Sequence, residues 1–152
     1  MGDQPIARVL SSVLTVVLDE LHAGLAAAGH PTLRPVDGYA LNAIMSGHTK
    51  ASAIAPRLGM TKQGASKVLR GLVDEGYVEV GEDAGDARSK PFTLTDRGRD
   101  AIALSVRLQR DIEARWAELS GPRRLGTARA VLEDLADDQP AVGLAFRPVV
   151  GD

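Results

Sequence analysis

Apolar positions recur at helical spacing along most of the chain, and glycine and proline punctuate the gaps between the repeats. Over Pro5 to Ala28, residues Ile6, Val9, Leu10, Val13, Val17, Leu21 and Leu25 step by threes and fours, with Leu14 and Leu18 widening the stripe. The spacing predicts one long helix, with Pro5 in its first turn, where a missing N–H removes no hydrogen bond. Few charges interrupt it. So apolar a helix needs cover on most of its circumference, more than one small domain supplies, and this predicts a dimer interface.

Gly29-His30-Pro31 ends that pattern and a connector runs to Pro35. Asp37 is then placed to cap a short helix through Ala40, Leu41, Ile44 and Met45, stopped by Gly47. Thr49 is placed to cap another, with Ala51, Ile54, Ala55 and Leu58 inward and Gly59 just past its end. Pro56 is awkward there, because it removes the hydrogen bond to the Ser52 carbonyl and tends to kink a helix. Leu58-Gly59-Met60-Thr61 makes a tight turn, after which Thr61 caps a helix that Gly76 terminates. Within it Ala65, Val68, Leu69 and Leu72 form the core-facing stripe. Gln63, Ser66, Lys67 and Arg70, at i, i+3, i+4 and i+7, form one polar face with no carboxylate. Such a face can hold phosphates and read base edges; an ordinary solvated helix face has the same composition. Two short capped helices joined by a glycine-containing turn make a helix-turn-helix pattern. Gly64 lies inside the second helix and weakens it by roughly 1 kcal/mol relative to alanine. Either the missing side chain lets backbone approach a phosphate, or it lets neighbouring helices pack closely.

Tyr77-Val78-Glu79-Val80 alternates as a strand, residues 81–89 are turn-forming, and Phe92-Thr93-Leu94 returns, with Pro91 at its start where a missing donor is tolerated. A β-hairpin placed directly after a helix-turn-helix is the arrangement of a winged helix. Thr95 caps the next helix, and Asp96 adds a favourable charge at its start. Its seam of Ala101, Ser105, Leu108, Ile112, Trp116 and Leu119 is broken by Gly121-Pro122. A last helix carries Leu125, Ala128, Leu132 and Leu135, so the two near-heptad seams predict a helical hairpin that needs partners.

Composition narrows the chemistry. The chain is 152 residues long, 44% hydrophobic but only 3% aromatic, which fits closely packed helices built on Ala, Leu and Val. It contains no cysteine, so disulfides, thiolate metal sites and thiol redox sensing are excluded. His22, His30 and His48 are too scattered for a metal site and read as surface or capping residues. The longest apolar run, Val13 to Leu18, is too short to span a membrane, and no secretory signal is present, so a cytoplasmic protein is expected. The net charge is −2, yet no acid occurs from Gly38 through Val73, where Lys50, Arg57, Lys62, Lys67 and Arg70 all fall. A basic patch on a slightly acidic chain suits a selective nucleic-acid binder.

The order of long helix, helix-turn-helix, wing and two C-terminal helices resembles the MarR family of bacterial transcriptional regulators, from about Pro5 to about Asp137. The most specific pieces are Leu69-x-x-Leu72-x-x-x-Gly76-Tyr77-Val78, the pair Asp86-x-Arg88, and Leu94-Thr95-x-x-Gly98. The resemblance implies a mainly α fold with a small β-wing and N- and C-terminal dimerisation helices. Residues 1–30 and 96–138 would form the dimerisation region, 36–95 the winged helix-turn-helix lobe, and 139–152 an irregular tail. It further implies a homodimeric repressor on a pseudo-palindromic double-stranded operator, with half-sites about one helical turn (~34 Å) apart. Gln63, Ser66, Lys67 and Arg70 would face the major groove, and Thr61 and Lys62 the backbone phosphates. Arg88 would enter the minor groove, oriented by Asp86, with Lys90 beside it. A narrow minor groove has the negative potential that attracts an inserted arginine. Pro56 departs from the family pattern and bears on the angle between the two motif helices. The family also implies a small aromatic or phenolic ligand, for which Tyr39, His22 and Trp116 are candidate neighbours, although each reads first as an ordinary core or surface residue. No cofactor is implied.

A winged helix that binds proteins and leaves DNA alone has the same fold, and the acid-free basic window weighs against it. An enzyme has little support, because there is no phosphate loop, no metal-ligand cluster and no nucleophile–base arrangement.

Overall fold

A computed structural model describes residues 4–82 and 90–137. Its elements run α1 (Ile6–Ala27), α2 (Pro35–Met45), α3 (Ala51–Arg57), α4 (Lys62–Asp74), β1 (Val78–Val80), β2 (Phe92–Leu94), α5 (Asp96–Ser120) and α6 (Pro122–Asp137). The mainly α architecture with one two-stranded antiparallel sheet is the one the pattern predicts. The chain divides into two compact units, one taking in Met1–Leu33 and Ala103–Glu133, the other built on Arg34–Ile102.

In the second unit, Leu41, Ile54, Leu69, Tyr77 and Val78 are the largest fully buried side chains, so α2, α3, α4 and β1 share one core. The hairpin pairs Val78 with Leu94, Glu79 with Thr93 and Val80 with Phe92. Gly81 N–H donating to the Pro91 carbonyl (2.8 Å) extends it by one bond. On its other side, Phe92 N–H donates to the Thr49 carbonyl at 2.7 Å and ties the wing to the segment before α3.

Two predicted caps shift. Pro35 occupies the first turn of α2, since its fixed φ suits a helix start, and Asp37 therefore sits at the third helical position. Its carboxylate reaches back to the Arg34 N–H (2.8 Å) and takes two bonds from the Arg34 guanidinium, at 2.9 Å each. That hydrogen bonding and charge raise the Arg34 pKa above its ordinary value, while Asp37 is buried beneath. Thr49 does not cap α3; the cap is Lys50, whose backbone is extended (φ −110°, ψ 141°). Thr49 is instead engaged by its carbonyl in the pairing with Phe92.

In the first unit, α1 begins one residue after Pro5, which is its N-cap. At its other end His30 N–H bonds the Leu25 carbonyl (2.9 Å) and Gly29 N–H the Ala26 carbonyl (3.1 Å), a Schellman closure. The second residue past such a cap packs back on the helix, so His30 is buried and is no surface residue. α1 and α5 approach closely: a Cβ on Gly24 would lie 2.8 Å from Leu108 Cδ1. Arg115 pairs with Glu20, and Arg129 with Glu113 at 2.8 Å.

Of the α5 seam, Ala101 and Ile112 are buried and Ser105, Leu108 and Trp116 half-buried, but Leu119 is 87% exposed. No residue of α6 is buried. Ile6, Val9, Leu10, Val13, Leu14 and Val16 of α1 are exposed as well, and so are Val131, Leu132 and Leu135 of α6. By length and composition α1 is apolar enough to cross a bilayer, which the shortness of the run Val13 to Leu18 within it concealed. Ser11, Ser12 and Thr15 interrupt the apolar residues without adding charge, and Asp19 and Glu20 follow Leu18.

Candidate nucleic-acid interface

The turn that presents α4 is built from two closures. Past the α3 C-cap Leu58, Gly59 adopts φ +62°, a left-handed conformation that costs other residues roughly 1 kcal/mol or more. Met60 N–H then bonds the Ala55 carbonyl (3.1 Å) and Gly59 N–H the Pro56 carbonyl (3.2 Å). Pro56 is thereby accommodated: it sits in the last turn of α3, exposed, and its carbonyl serves the closing bond. Thr61 follows with an extended backbone, and its hydroxyl accepts the Gly64 N–H at 3.1 Å, which starts α4 where the sequence predicts. At the far end Gly76 takes φ +77° and Tyr77 N–H bonds the Leu72 carbonyl at 2.9 Å.

Burial sorts the faces of α4. Ala65, Val68, Leu69 and Leu72 are buried. Lys62, Gln63, Lys67 and Arg70 are exposed, Thr61 is exposed at the cap, and Ser66 is half-buried at the edge of the face. Lys50 and Arg57 are also exposed. Among the described residues none of Lys50, Arg57, Lys62, Lys67 and Arg70 is held in an ion pair. Their charge is available to a ligand. The first turn of a helix adds partial positive charge and unpaired N–H groups to the same end. A phosphate backbone offers the complementary charge, while the Gln63 amide and Arg70 fork can match base edges.

Gly64 is half-buried, and an added Cβ would meet only Thr61 Oγ1 at 3.4 Å and Met60 side-chain atoms at 3.5 and 3.6 Å. These are ordinary contacts within the turn, so close packing against a neighbouring helix does not require glycine there. Lys90 is exposed at the root of the returning strand. Arg88 and Asp86 lie outside the described residues.

The three candidate ligand neighbours are each half-buried, Tyr39 in α2 and His22 and Trp116 in the other unit. His22 Nδ1 lies 2.6 Å from the Leu18 carbonyl, which can only accept, so that nitrogen carries the proton. Among the described residues no cluster of metal-ligating side chains occurs. One feature was missed in the sequence: Arg97 covers the buried ring of Tyr77, where α4 passes into β1. A cation in the first turn of a helix, against the dipole, was the available signal.

Comparison with known proteins bears on the same residues. The sequence model of the MarR family matches residues 32–89. The chain is 31% identical over 138 residues to the HTH-type transcriptional repressor Rv2887 of Mycobacterium tuberculosis, covering 90% of this chain and 96% of that protein. It is 34% identical over 80 residues to the HTH-type transcriptional regulator PetP of Rhodobacter capsulatus, where the match spans 53% of this chain and 48% of PetP. Among solved structures, the Rv2887 complex with salicylic acid superposes with a TM-score of 0.65 at 27% identity, covering 88% of this chain and 98% of that one. Streptococcus pneumoniae FabT in complex with DNA superposes with a TM-score of 0.74 at 19% identity, covering 87% and 93%.

Proposed function

The chain belongs to the MarR family of winged-helix transcriptional regulators, and from that premise we propose that it is a homodimeric, DNA-binding repressor released by a small aromatic or phenolic acid. The observation that carries the DNA reading is the outer face of α4, where Lys62, Gln63, Lys67 and Arg70 are exposed and the one carboxylate of the helix, Asp74, stands at its last residue. In this reading α4 enters the major groove. Gln63, Ser66, Lys67 and Arg70 address bases and flanking phosphates, while Thr61 and Lys62 lie along the backbone. Lys90 follows the wing toward the adjacent minor groove, with Arg88 as the inserted cation and Asp86 orienting it. Residues 36–95 serve as the reading lobe, and residues 1–30 with 96–138 as the dimerisation region.

Dimerisation is supported by the exposed apolar residues of α1 and α6, which a lone chain leaves in water at roughly 25 cal/mol per Å². The same residues give α1 its membrane-like composition, and burial between two copies accounts for it without a bilayer. The ligand class rests on likeness to Rv2887, whose structure contains salicylic acid. The relatives act as transcriptional regulators, and this chain is read as non-enzymatic and as working in the cytoplasm, on genomic DNA.

Capture and sequencing of genomic fragments bound by the purified protein tests the reading. The expected outcome is a pseudo-palindrome with half-sites about 34 Å apart, bound by one dimer and released by salicylate or a related acid. Fragments bound without any shared sequence would overturn it.

A further inference from the structure

We propose that Arg97 is a positioning residue for DNA recognition: acting through Tyr77, it clamps the C-terminal end of α4 to the first turn of α5. The inference rests on the reading of α4 as the recognition helix.

Arg97 is the second residue of α5, two positions after the Thr95 cap, whose hydroxyl accepts the Gly98 N–H at 3.2 Å. A cation there faces the positive end of the helix dipole, so the helix itself gives no reason for it. Its contacts do. The guanidinium carbon lies 4.5 Å from the centroid of the Tyr77 ring, and Nη2 donates to the Tyr77 hydroxyl at 3.0 Å. Tyr77 has no exposed surface, and its N–H closes α4 on the Leu72 carbonyl at 2.9 Å.

The backbone around this contact is fixed by the same few residues. Thr95 N–H donates to the Tyr77 carbonyl at 3.1 Å, and the Thr95 hydroxyl donates to the Gly76 carbonyl at 2.6 Å. Gly98 admits the Tyr77 carbonyl where a Cβ would stand. The start of α4 is held by the Thr61 cap and the Gly59 turn; its end is held by Thr95 at the backbone and by Arg97 at the side chain. Base-edge contacts require a side chain within about 0.5 Å of its productive position, whereas phosphates attract a cation from many poses. Releasing the clamp therefore weakens specific binding and spares non-specific binding.

The test uses the full-length protein, with fluorescence anisotropy on the operator duplex recovered by genomic capture and on a scrambled duplex, over a series of salt concentrations. Arg97→Ala is expected to lower operator affinity about tenfold, with scrambled-duplex affinity and the salt slope unchanged. Tyr77→Phe removes only a buried hydroxyl that cannot reach DNA, and is expected to lower operator affinity in the same direction but less. The double substitution should bind no more weakly than Arg97→Ala alone, because in this proposal the Tyr77 hydroxyl acts through its bond with Arg97. Arg97→Lys, which returns a cation without the fork, should recover part of the loss. Operator affinity equal to wild type in both single variants overturns the proposal. So does a parallel loss on both duplexes with the salt slope reduced by about one, which assigns Arg97 to a phosphate. Melting curves show whether each variant is folded at the assay temperature; if Arg97→Ala is not, Tyr77→Phe and Arg97→Lys decide. Wild-type protein that binds both duplexes alike would remove the recognition-helix reading itself, and the clamp with it.

Discussion

Replacing Gly98 by alanine places a methyl carbon 2.2 Å from the Tyr77 carbonyl oxygen, 3.2 Å from its carbonyl carbon and 3.4 Å from Leu94 Cδ2. Close carbon–oxygen contacts lie near ~3.3 Å, so the two groups must part by about 1 Å. Leucine can turn away, but the carbonyl is backbone and already accepts the Thr95 N–H at 3.1 Å. Overpacking of this kind costs about 1–3 kcal/mol, and a lost hydrogen bond adds about 1 kcal/mol. Against this stands the helix preference for alanine, worth about 0.5–1 kcal/mol in a helix interior and less in the first turn. The net expectation is a destabilisation of about 1–3 kcal/mol, or a melting point lower by about 2–12 °C for a chain of this size. Gly71→Ala is the matched control, since nothing lies within 4 Å of its would-be Cβ in the last turn of α4, and it should gain up to about 1 kcal/mol. Urea unfolding of both variants at one protein concentration reads the comparison, because the stability of the proposed dimer would depend on concentration. If Gly98→Ala were as stable as wild type, the junction would be looser than the 2.2 Å distance allows, and the reasoning behind it would fail.

Three further outcomes are expected. Thr61→Ala removes the hydroxyl that accepts the Gly64 N–H and should cost about 1 kcal/mol in thermal or urea unfolding, with weaker operator binding. Leu69→Ala empties a fully buried position on the inner face of α4 and should cost about 2–5 kcal/mol by the same measurement. Val13→Glu places a charge among the exposed apolar residues of α1; sedimentation velocity is expected to show dimers for wild type and monomers for the variant.

Much of the unit built on Arg34–Ile102 was legible because its signals are local. A threonine before Lys62, a glycine after Glu75 and an apolar stripe between them define α4 whatever surrounds it. The wing strand Phe92–Leu94 and the Thr95 cap are likewise set by neighbouring residues. The caps of α2 and α3 were misplaced where a partner decides. Pro35 started α2 early enough to turn Asp37 into a staple for Arg34, and a hydrogen bond from Phe92, 43 residues along the chain from Thr49, engaged the Thr49 carbonyl. Periodicity also extended the α5 seam to Leu119, which is exposed, because spacing shows which residues share a face and not where the neighbouring helix ends. Contact between Arg97 and Tyr77 had no spacing signature at all: it crosses from the end of one element to the start of another, through the hairpin between them. Arg88 and Asp86, the wing residues of the family motif, lie outside the described residues and stand on that motif alone.

The proposed grip of the outer face of α4 on DNA is open to measurement. Its most direct test is the salt dependence of operator affinity for wild type, Lys67→Ala, Arg70→Ala and the double variant. Affinity should fall steeply with salt in the wild type, each variant should bind more weakly, and the slope should drop by about 0.9 for each phosphate contact removed. Where Arg70 reads a base, its variant should also lose about 1–3 kcal/mol of discrimination at one operator position. Unchanged affinity and unchanged slope in the double variant would place the DNA-binding surface elsewhere on the molecule.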